Sequence, residues 1–596
     1  MRKVNYKFLI PACLVLLVSV YACKKSYLDR PPLGTLNQDI LANKEGVQGL
    51  LIGTYSLVDG EGGNSSGQGS AASNWTYGGI GSDDAYKGSD PSDGGADIFP
   101  IETKTITSTN TYASSKWNEN YDAIQRSNDV LRLMALAKDI PAEDQKVIAG
   151  EAHFLRAHFH FELKKVFNMV PYVNDSVIIG SNSDVSNTRD IWPNIEADFQ
   201  FAVDNLPETQ PQVGRVNKWA AMTYLAKTYM FEHKYSEAKA LFDQIITNGK
   251  TSDGKKYGLL PNYFSAFNPA QKNSQESVFA AQTSVNDNSS TAWNGQPNGN
   301  VGDVLNFPYN GGPGACCGFY NPSQDLANAF KTDASGYPMF DTYFNGPTVN
   351  STTLYTGTVD PRIDWAIGRP GVPYLDWGIH PGDAWIRNPG ADGHLSPKKN
   401  VYASSQKGTY SDVSAYWAPN QLVANNVNII RFADVLLMAA EAEVEVGTTA
   451  KALEYVNLVR ARAANPSGWV YKDSDYDAAK AEYVTKTTPA ANYVIALYTA
   501  AQFTDKAFAT QAVRFERRLE LAMEGQRFFD LQRWDNGTGL MANILNAYYQ
   551  RDGNLVSYKK DTHFIKGTHE YYPIPQSQID VMNSGGKSVL KQNPGY

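Results

Sequence analysis

Apolar residues recur every three or four positions in two parts of the chain, before residue 250 and after residue 430, and this spacing predicts α-helices. The predicted helices of the first part cover residues 47–58, 121–134, 148–163, 195–206, 219–232 and 235–247. Those of the second part cover residues 432–446, 450–463 and 508–524. The fold is therefore predicted to be mainly α.

Several of these helices are predicted to pair as antiparallel hairpins. Only His233 and Lys234 separate one pair, and Gly447 stands where it would cap the first helix of another. Hairpins of this kind are the unit of tetratricopeptide-like arrays. The sequence therefore predicts a scaffold of helical hairpins, with an N-terminal helical region at residues 39–250 and a C-terminal one at residues 431–596.

Two stretches lack this periodicity and are rich in glycine, proline, asparagine and aromatic residues. They are residues 59–100 and 251–430, and the second holds five of the 11 Trp. Irregular stretches of this length in a compact protein are usually functional. We therefore expect these two stretches to form the working surface, with residues 251–430 as a loop-rich ligand-binding region.

The composition indicates a packed globular protein with few charges. Apolar residues make up 42% of the chain and aromatic residues 12%, but charged residues only 19%. The net charge of −8 lacks the basic excess that nucleic-acid binding needs, so no nucleic-acid partner is predicted. Asn, Ser, Thr, Tyr and Gly must then supply much of the polar surface, which suits uncharged polar ligands.

Residues 1–22 have the form of a secretory signal peptide, with a basic start, an apolar run at residues 8–20, and the small residue Ala22 before Cys23. The apolar run is shorter than the about 20 residues that cross a bilayer. Residues 20–23 resemble a bacterial lipobox, which would make Cys23 a lipid anchor followed by an extended tether at residues 23–38. The alternative is simple cleavage after Ala22 and secretion of a soluble protein.

Two of the four cysteines remain after the signal peptide and the anchor are set aside, and they are adjacent. Cys316 and Cys317 can close a vicinal disulfide in an oxidising compartment and stiffen their turn. The alternative is two thiols buried as small apolar groups. Because CxxC spacing is absent, no metal site and no other cofactor is predicted.

Patterns that would indicate an enzyme are weak. Residues 63–67 match G-x-S-x-G, but no strand precedes them as the nucleophile turn requires. A glycosidase needs two carboxylates at a set separation, and no local motif supplies them. Two further groups lack the spacing of a metal site, namely three histidines (His153, His158 and His160) and three aspartates (Asp90, Asp93 and Asp97). The protein is therefore predicted not to be an enzyme.

Several long motifs stand in the helical regions. Residues 431–442 read RFADVLLMAAEA, residues 517–534 read RRLELAMEGQRFFDLQRW, and the chain closes with YPIP and QNPGY. Residues 150–157 read GEAHFLRA, Val170-Pro171 follows, and residues 214–221 read GRVNKWAA. In this order the motifs resemble those of the SusD/RagB family of surface lipoproteins from Bacteroidota. The resemblance covers residues 23–596 as one SusD-like unit, and the acidic and arginine residues of its motifs are expected to form structural ion pairs.

This resemblance implies a function in nutrient uptake. A SusD-like protein is held in the outer membrane by a lipid anchor, here Cys23, and faces the exterior. It captures oligosaccharide or polysaccharide and delivers it unchanged to a SusC-like TonB-dependent transporter. Two alternatives stay open, a peptide-binding member of the same import system and, more distantly, a surface glycosidase.

Sugar rings stack their apolar faces on aromatic side chains, while carboxylate, amide and guanidinium groups bind their hydroxyls. The candidates for glycan binding therefore come from the two irregular stretches: Asp59, Trp75, Asp83, Asp84, Trp293, Cys316, Cys317, Trp385, Arg387 and Tyr410. A flat Cys316–Cys317 ring would add to the sugar platform. For each aromatic residue the alternative is that it anchors its loop to the core, and for Asp83 and Asp84 that they are turn or cap residues.

Overall fold

The computed structural model describes residues 38–60, 67–178, 183–289, 297–413, 420–473 and 475–596. The predicted signal peptide, Cys23 and nearly all of the predicted tether lie outside these residues, as do Trp293 and most of the G-x-S-x-G match. Within the described ranges, no helix combines the length and the apolar character needed to cross a membrane.

The described chain is mainly α-helical, as predicted. Its long helices are α1 (Lys44–Tyr55), α2 (Thr111–Met134), α3 (Ala142–Phe167), α4 (Trp192–Asn205), α5 (Lys218–Phe231), α6 (Tyr235–Asn248), α7 (Phe432–Val446), α8 (Thr449–Ala464), α9 (Lys506–Glu520), α10 (Arg527–Asp535) and α11 (Leu540–Asp552). Each helix predicted from the apolar spacing overlaps one of these. Consecutive helices pack against each other, α2 on α3, α3 on α4, α4 on α5, α5 on α6, and α7 on α8, which confirms the hairpin scaffold.

Side-chain caps fix where several helices begin. In α2 the Asn110 Oδ1 accepts a hydrogen bond from the backbone N–H of Ala113 at 3.1 Å, so this helix starts well before the predicted residue 121. Gly447 ends α7 as predicted, but its φ of −109° is not that of a left-handed cap. A Cβ at Gly447 would lie 1.8 Å from Glu443 Oε2, so a side chain there would have to displace that carboxylate.

One antiparallel strand pair lies where the middle region meets the helices. Strand β1 (Ser277–Ala281) pairs with β2 (Val427–Arg431), and β2 leads directly into α7. Residues 251–430 therefore leave the helical core and return to it at nearly the same place.

Short elements shape the irregular stretches. The helical segments of fewer than eight residues are Gln38–Leu41, Gly67–Ser70, Phe99–Glu102, Gln324–Ala329, Ile363–Ala366, Pro389–Asp392 and Gln576–Met582, and Trp75–Ile80 forms a π-helical turn. Turns of 3₁₀ helix are Ser56–Asp59, Tyr263–Phe267, Pro269–Gln271, Gly382–Trp385, Ser404–Gln406, Pro466–Gly468, Gln502–Thr504, Ser557–Asp561 and Ser584–Gly586. Two-residue strands pair as Ile367–Gly368 with Ser396–Pro397 and as Tyr476–Asp477 with Glu482–Tyr483.

The irregular stretches have a hydrophobic core of their own, separate from that of the hairpins. It contains Trp75 and Trp365 together with Phe264, Leu326 and Phe330, all of them buried. Phe264 stacks on Trp365 with ring centroids 5.1 Å apart. Much of the aromatic content that we expected at a working surface is therefore interior.

The C-terminal region departs most from the predicted pattern. Helix α9 ends at Glu520 instead of residue 524, because Met523 and Gly525 both adopt positive φ, at 62° and 66°. A Cβ on Gly525 would lie 2.0 Å from the Ser73 carbonyl oxygen, so the turn packs tightly on the first irregular stretch. The sequence analysis missed α10 and α11, which follow this turn.

The expected ion pairs of the motifs are present and buried. Glu520 at the end of α9 receives hydrogen bonds from Arg362, Arg431 and Arg462, with the Arg431 Nη1 to Glu520 Oε1 distance at 2.7 Å. Glu276 binds Arg431 and Arg462 as well. Burial opposes the ionised form of Glu520, but the three guanidinium groups outweigh it and hold the pKa of this carboxyl well below its ordinary range. This network fastens the middle region to helices α8 and α9.

Candidate functional site

One buried glutamine, Gln421, holds the turn that carries Cys316 and Cys317 from the inner side of the chain. The two cysteines form the predicted vicinal disulfide. The Gln421 Oε1 accepts hydrogen bonds from the backbone N–H groups of Ala315 and Cys316, both at 2.9 Å, and its Nε2 donates to the Val304 carbonyl at 2.8 Å. Cys316 is half-buried and Ala315 is exposed, so one side of this turn faces solvent.

Trp385 fixes the other end of the same turn. Its carbonyl accepts a hydrogen bond from the backbone N–H of Tyr309 at 2.9 Å, and its ring lies against Gly311 and Gly312. Gly312 has a φ of +55°, and a Cβ there would lie 2.4 Å from the ring, so glycine alone fits. Because Trp385 is only 8% exposed and also packs edge-on against Tyr374, it supports the turn from inside and offers little face to a sugar.

Arg387 follows Trp385 and lies at the surface. Its guanidinium binds the carboxylate of Asp93, donates to the Ser89 hydroxyl at 3.2 Å, and lies 5.6 Å from the centroid of the Tyr309 ring. Its side chain is 32% exposed and that of Asp93 35%. We call the group of Asp93, Tyr309, Cys316 and Arg387 the disulfide-turn surface.

The loop that carries Asp93 is ordered around a lysine ammonium. Lys87 is buried, and its Nζ donates to the carbonyls of Gly88, Asp90 and Asp93 at 2.8, 2.9 and 2.9 Å. Burial lowers the pKa of Lys87, and nearby carboxylates including Glu102 oppose this. The carboxylate of Asp90 binds its own turn through Ser92. Across the described residues, no three His, Cys, Asp or Glu side chains converge as a metal site.

Two more aromatic residues lie beside this surface. Tyr410 is half-buried and pairs its carbonyl with the Ala424 N–H at 2.9 Å, in the same ladder that presents Gln421. Trp377 is half-buried, its indole N–H donates to the Tyr402 carbonyl at 2.8 Å, and it packs on the small cluster that contains Trp385. The structure therefore brings Cys316, Cys317, Trp385, Arg387 and Tyr410 into one group of loops.

Three candidates of the first irregular stretch are interior residues, which corrects their expected place at the ligand surface. Trp75 has no exposed area, and its indole N–H donates to the Gly302 carbonyl at 2.8 Å. The carboxylate of Asp83 binds Arg527 at 2.8 and 3.0 Å and Arg518 at 3.0 Å. Trp75 is therefore a core anchor, which was its alternative, whereas Asp83 serves a buried ion pair instead of the turn or cap that was its alternative.

The pKa values of the two buried aspartates, Asp83 and Asp84, are shifted in opposite directions. Burial alone would raise both pKa values, but Arg518 and Arg527 hold the pKa of Asp83 well below its ordinary range. The pKa of Asp84 is raised to about 7 by burial and by the charge of Asp83, and its Oδ1 has no hydrogen-bond partner within the described chain. Asp84 therefore holds its proton at mildly acidic pH.

Asp59 lies apart from the disulfide-turn surface. It lines an open pocket of about 370 Å³ together with Tyr55, Arg215, Phe279 and Asn298. This pocket lies between α1 and β1 on the hairpin side of the molecule. The candidate residues therefore do not all meet in one site, and Trp293 lies outside the described residues.

Tyr309 of this surface, and Gln421 and Trp377 beside it, were not predicted from the sequence, and Asp93 was considered only as a metal ligand and rejected. A signal for Tyr309 was available, since it directly precedes the glycine-rich run that leads to the two cysteines. Gln421 had none, because its role depends on two backbone N–H groups that are 106 and 105 residues away along the chain.

Two family models match the chain. The model described as the SusD family matches residues 275–596, more than half of the chain, and the model described as starch-binding, associating with outer membrane, matches residues 95–230. A SusD-like protein of Formosa agariphila is 24% identical over 97% of this chain and 96% of its own length.

Solved structures of the same fold match most of the chain. A laminarin binding SusD-like protein has a TM-score of 0.62 at 22% identity, covering 93% of this chain and all of that one. Surface glycan-binding protein A from Bacteroides thetaiotaomicron, in complex with laminarihexaose, has a TM-score of 0.62 at 19% identity, covering 92% of this chain and 99% of that one. These likenesses show the fold, and the family-model match over residues 275–596 shows that the chain belongs to the SusD family.

Proposed function

We propose that this protein captures oligosaccharide or polysaccharide at the cell surface, at the disulfide-turn surface, and delivers it unchanged to a SusC-like TonB-dependent transporter. The observation that carries the proposal is the half-exposed Tyr309 ring beside Arg387 and Asp93 on a fixed turn. A neutral sugar ring is recognised by an aromatic face, by a guanidinium group that donates several hydrogen bonds, and by a carboxylate that accepts them.

The surface is rigid enough to serve as a binding site before a ligand arrives. The disulfide and Gln421 fix one end of the turn, and Trp385 fixes the other. A site that is already ordered loses less conformational entropy on binding, which favours affinity for a flexible chain such as a glycan. The apolar disulfide at Cys316 would extend the platform that Tyr309 begins.

Family membership supports the cellular part of the proposal. The outer membrane is named in the description of the model that matches residues 95–230, and relatives in the family are described as laminarin-binding and glycan-binding. Lipidation at Cys23 would hold the protein on that membrane, facing the exterior. The ligand would leave unchanged, since the interior carboxylates Asp83 and Glu520 serve ion pairs and Asp93 binds Arg387.

Calorimetric titration of residues 24–596 with a panel of neutral polysaccharides tests the proposal. We expect one glycan to bind and to be recovered intact, with affinity at least tenfold weaker in Tyr309→Ala and in Arg387→Ala. The matched control is Arg132→Ala, which removes an arginine of α2 that also pairs with an aspartate. Equal affinity in all variants would refute this site.

The same titration separates the two alternatives. Absence of glycan binding, with mixed oligopeptides copurifying with the protein, would support the peptide-binding function. Shortened sugars in the recovered ligand would support a glycosidase.

A further inference from the structure

A large groove lies between helices of the C-terminal region. It has a volume of about 670 Å³ and is bounded by α9, α10, α11 and the turn at residues 340–344. Two of the helices each present one continuous stripe to it, residues 507, 510, 511, 514 and 518 of α9 and residues 540, 543, 544, 547 and 551 of α11. This spacing marks a single helix face. The turn at residues 340–344 contacts the α9 face, where Gln511 binds Asp341, and the cavity lies between the two helices beside it.

The groove is lined by large apolar side chains and by polar or charged ones in equal number. Phe340 and Phe515 pack edge to face with ring centroids 5.2 Å apart, and Trp534 and Leu531 are buried residues of its lining. Phe344 on the rim is 40% exposed. Large apolar side chains that line an open cavity indicate a place where another molecule docks.

The charge in the groove is positive, and one arginine in it lacks a partner. The Arg514 guanidinium lies 4.9 Å from the Trp534 ring centroid. Within the described part of the chain it makes no hydrogen bond or ion pair, and its Nε is buried. Glu441, a carboxylate close enough to interact electrostatically with Arg514, is occupied by Arg533 at 2.6 and 2.8 Å and by the Trp534 indole at 2.9 Å.

Three further arginines line the groove, and each is paired with a buried aspartate. Arg518 binds both Asp83 and Asp325. Arg551 binds Asp325 and lies 4.8 Å from the Phe344 ring, and Arg527 binds Asp83. The one acidic residue of the lining, Asp341, accepts hydrogen bonds from Gln511 at 3.0 and 3.2 Å. A half-buried guanidinium without a carboxylate is costly, and a carboxylate of a ligand would remove that cost.

We infer that this arginine–aromatic groove, lined by Arg514, Trp534, Phe344, Ile544 and Arg551, is a docking site for an acidic segment of a partner protein that also carries large apolar side chains. Charge complementarity selects this occupant. The tether of the chain itself is a poor match, since residues 23–37 hold Lys24, Lys25 and Arg30 against one acidic residue. The inference is independent of the glycan site, which lies on other elements.

Fluorescence anisotropy of the mature chain, residues 24–596, with labelled peptides tests the inference. The probe is an eight-residue peptide that alternates glutamate with leucine and phenylalanine, and its counterpart has lysine in place of glutamate. We expect saturable binding of the acidic peptide only, weakened about tenfold by Arg514→Gln, which removes the charge and keeps the shape. Binding should also weaken as salt rises.

A second variant blocks the groove and leaves its arginines in the sequence. Ala547→Glu adds a carboxylate on the exposed rim of α11, and Ala240→Glu makes the same change on the exposed face of α6. We expect Ala547→Glu to abolish peptide binding and Ala240→Glu to leave it unchanged, with equal melting temperatures. Equal binding in both variants, or no binding of the acidic peptide, would overturn the inference.

Two other occupants give distinct results and would also overturn it. Binding of a galacturonate heptamer, lost in Ala547→Glu while the peptide does not bind, would assign the groove to an acidic glycan. Self-association of the wild-type chain in sedimentation equilibrium, lost in Ala547→Glu, would assign it to a second copy.

Discussion

Arg387 and Asp93 form an ion pair across 294 residues of sequence, and this pair joins the lysine-centred loop to the disulfide turn. Both side chains are about one-third exposed, so the pair contributes only about 0–1 kcal/mol to the free energy of unfolding. Its main effect is on position, because it holds the guanidinium beside the Tyr309 ring.

Replacement of Asp93 by Asn should therefore alter binding more than stability. Asp93→Asn removes a sugar-hydroxyl acceptor of full charge and releases Arg387. We expect affinity for the neutral glycan to fall about fivefold, and binding of a sulfated or uronic glycan to strengthen, since the arginine is no longer neutralised. Calorimetry with matched neutral and sulfated oligosaccharides checks both the expected loss of affinity for the neutral ligand and the expected gain for the sulfated one. Parallel losses for both ligands would contradict this account of Asp93.

Gln421 should be essential to the order of the disulfide turn. Gln421→Leu keeps the side-chain volume close but leaves the N–H groups of Ala315 and Cys316 without their acceptor. The loss should cost about 1–3 kcal/mol of stability and weaken glycan binding. Thermal unfolding and calorimetry measure the two effects. Gln406→Leu is the control, because this buried glutamine binds Asn268 in a different loop.

Glu520 should be among the most sensitive buried positions. Glu520→Gln preserves shape but removes the charge that Arg362, Arg431 and Arg462 share, and we expect a loss of about 3–5 kcal/mol. Thermal or denaturant unfolding measures it. Glu237→Gln, at an exposed position of α6, should change little.

The lowered pKa of Glu520 also predicts how the stability of the protein changes with pH on the acid side. Because the folded pKa of Glu520 lies below its ordinary value of 4.5, the folded state binds fewer protons than the unfolded state in that range. Its contribution is present above pH 4.5 and is lost as pH falls through the folded pKa. Glu520→Gln should therefore flatten the acid limb of a plot of melting temperature against pH, and an unchanged limb would contradict the assignment.

The raised pKa of Asp84 predicts the opposite effect, a stability that falls as the pH rises. Its folded pKa of about 7 exceeds the ordinary 3.8, so the folded state binds more protons between these values and loses stability as pH rises through them. Asp84→Asn, which cannot ionise, should leave stability near pH 4 almost unchanged and raise it above pH 7 by about 1–3 kcal/mol. Melting temperatures from pH 4 to pH 8 test this, with the exposed Asp561→Asn as control.

The helices that were predicted best carry regularly spaced apolar residues. Helix α6 matches its predicted range closely because one side packs on a neighbour and the other is exposed, and α7 matches because its buried residues are mostly apolar. Helix α10 is also buried at every position from Phe528 to Asp535, but half of these residues are polar, so apolar spacing does not mark it. In α11 the face made by Leu540, Ile544 and Ala547 lines the groove, while a separate set of residues forms its core contact.

The candidate site was predicted less well, because aromatic content does not distinguish a core from a surface. Trp75 and Trp385 stand in glycine-rich stretches, yet both rings are almost fully covered by the chain. Such stretches need large side chains to bury, since glycine supplies almost no apolar area. Of the candidates that the structure describes in the middle region, Cys316, Arg387 and Tyr410 are partly exposed, and their place in a glycan site stays a prediction.

The Lys87 ammonium orders the loop that carries Asp93 from within the chain itself. Backbone carbonyls and carboxylates can also hold a calcium ion, and the occupancy of such a site varies with the calcium concentration of the medium. Here the carbonyls of Gly88, Asp90 and Asp93 already surround an ammonium that is covalently part of the chain. The Asp93 side of the disulfide-turn surface would therefore keep its shape in the presence of chelators and in calcium-poor water.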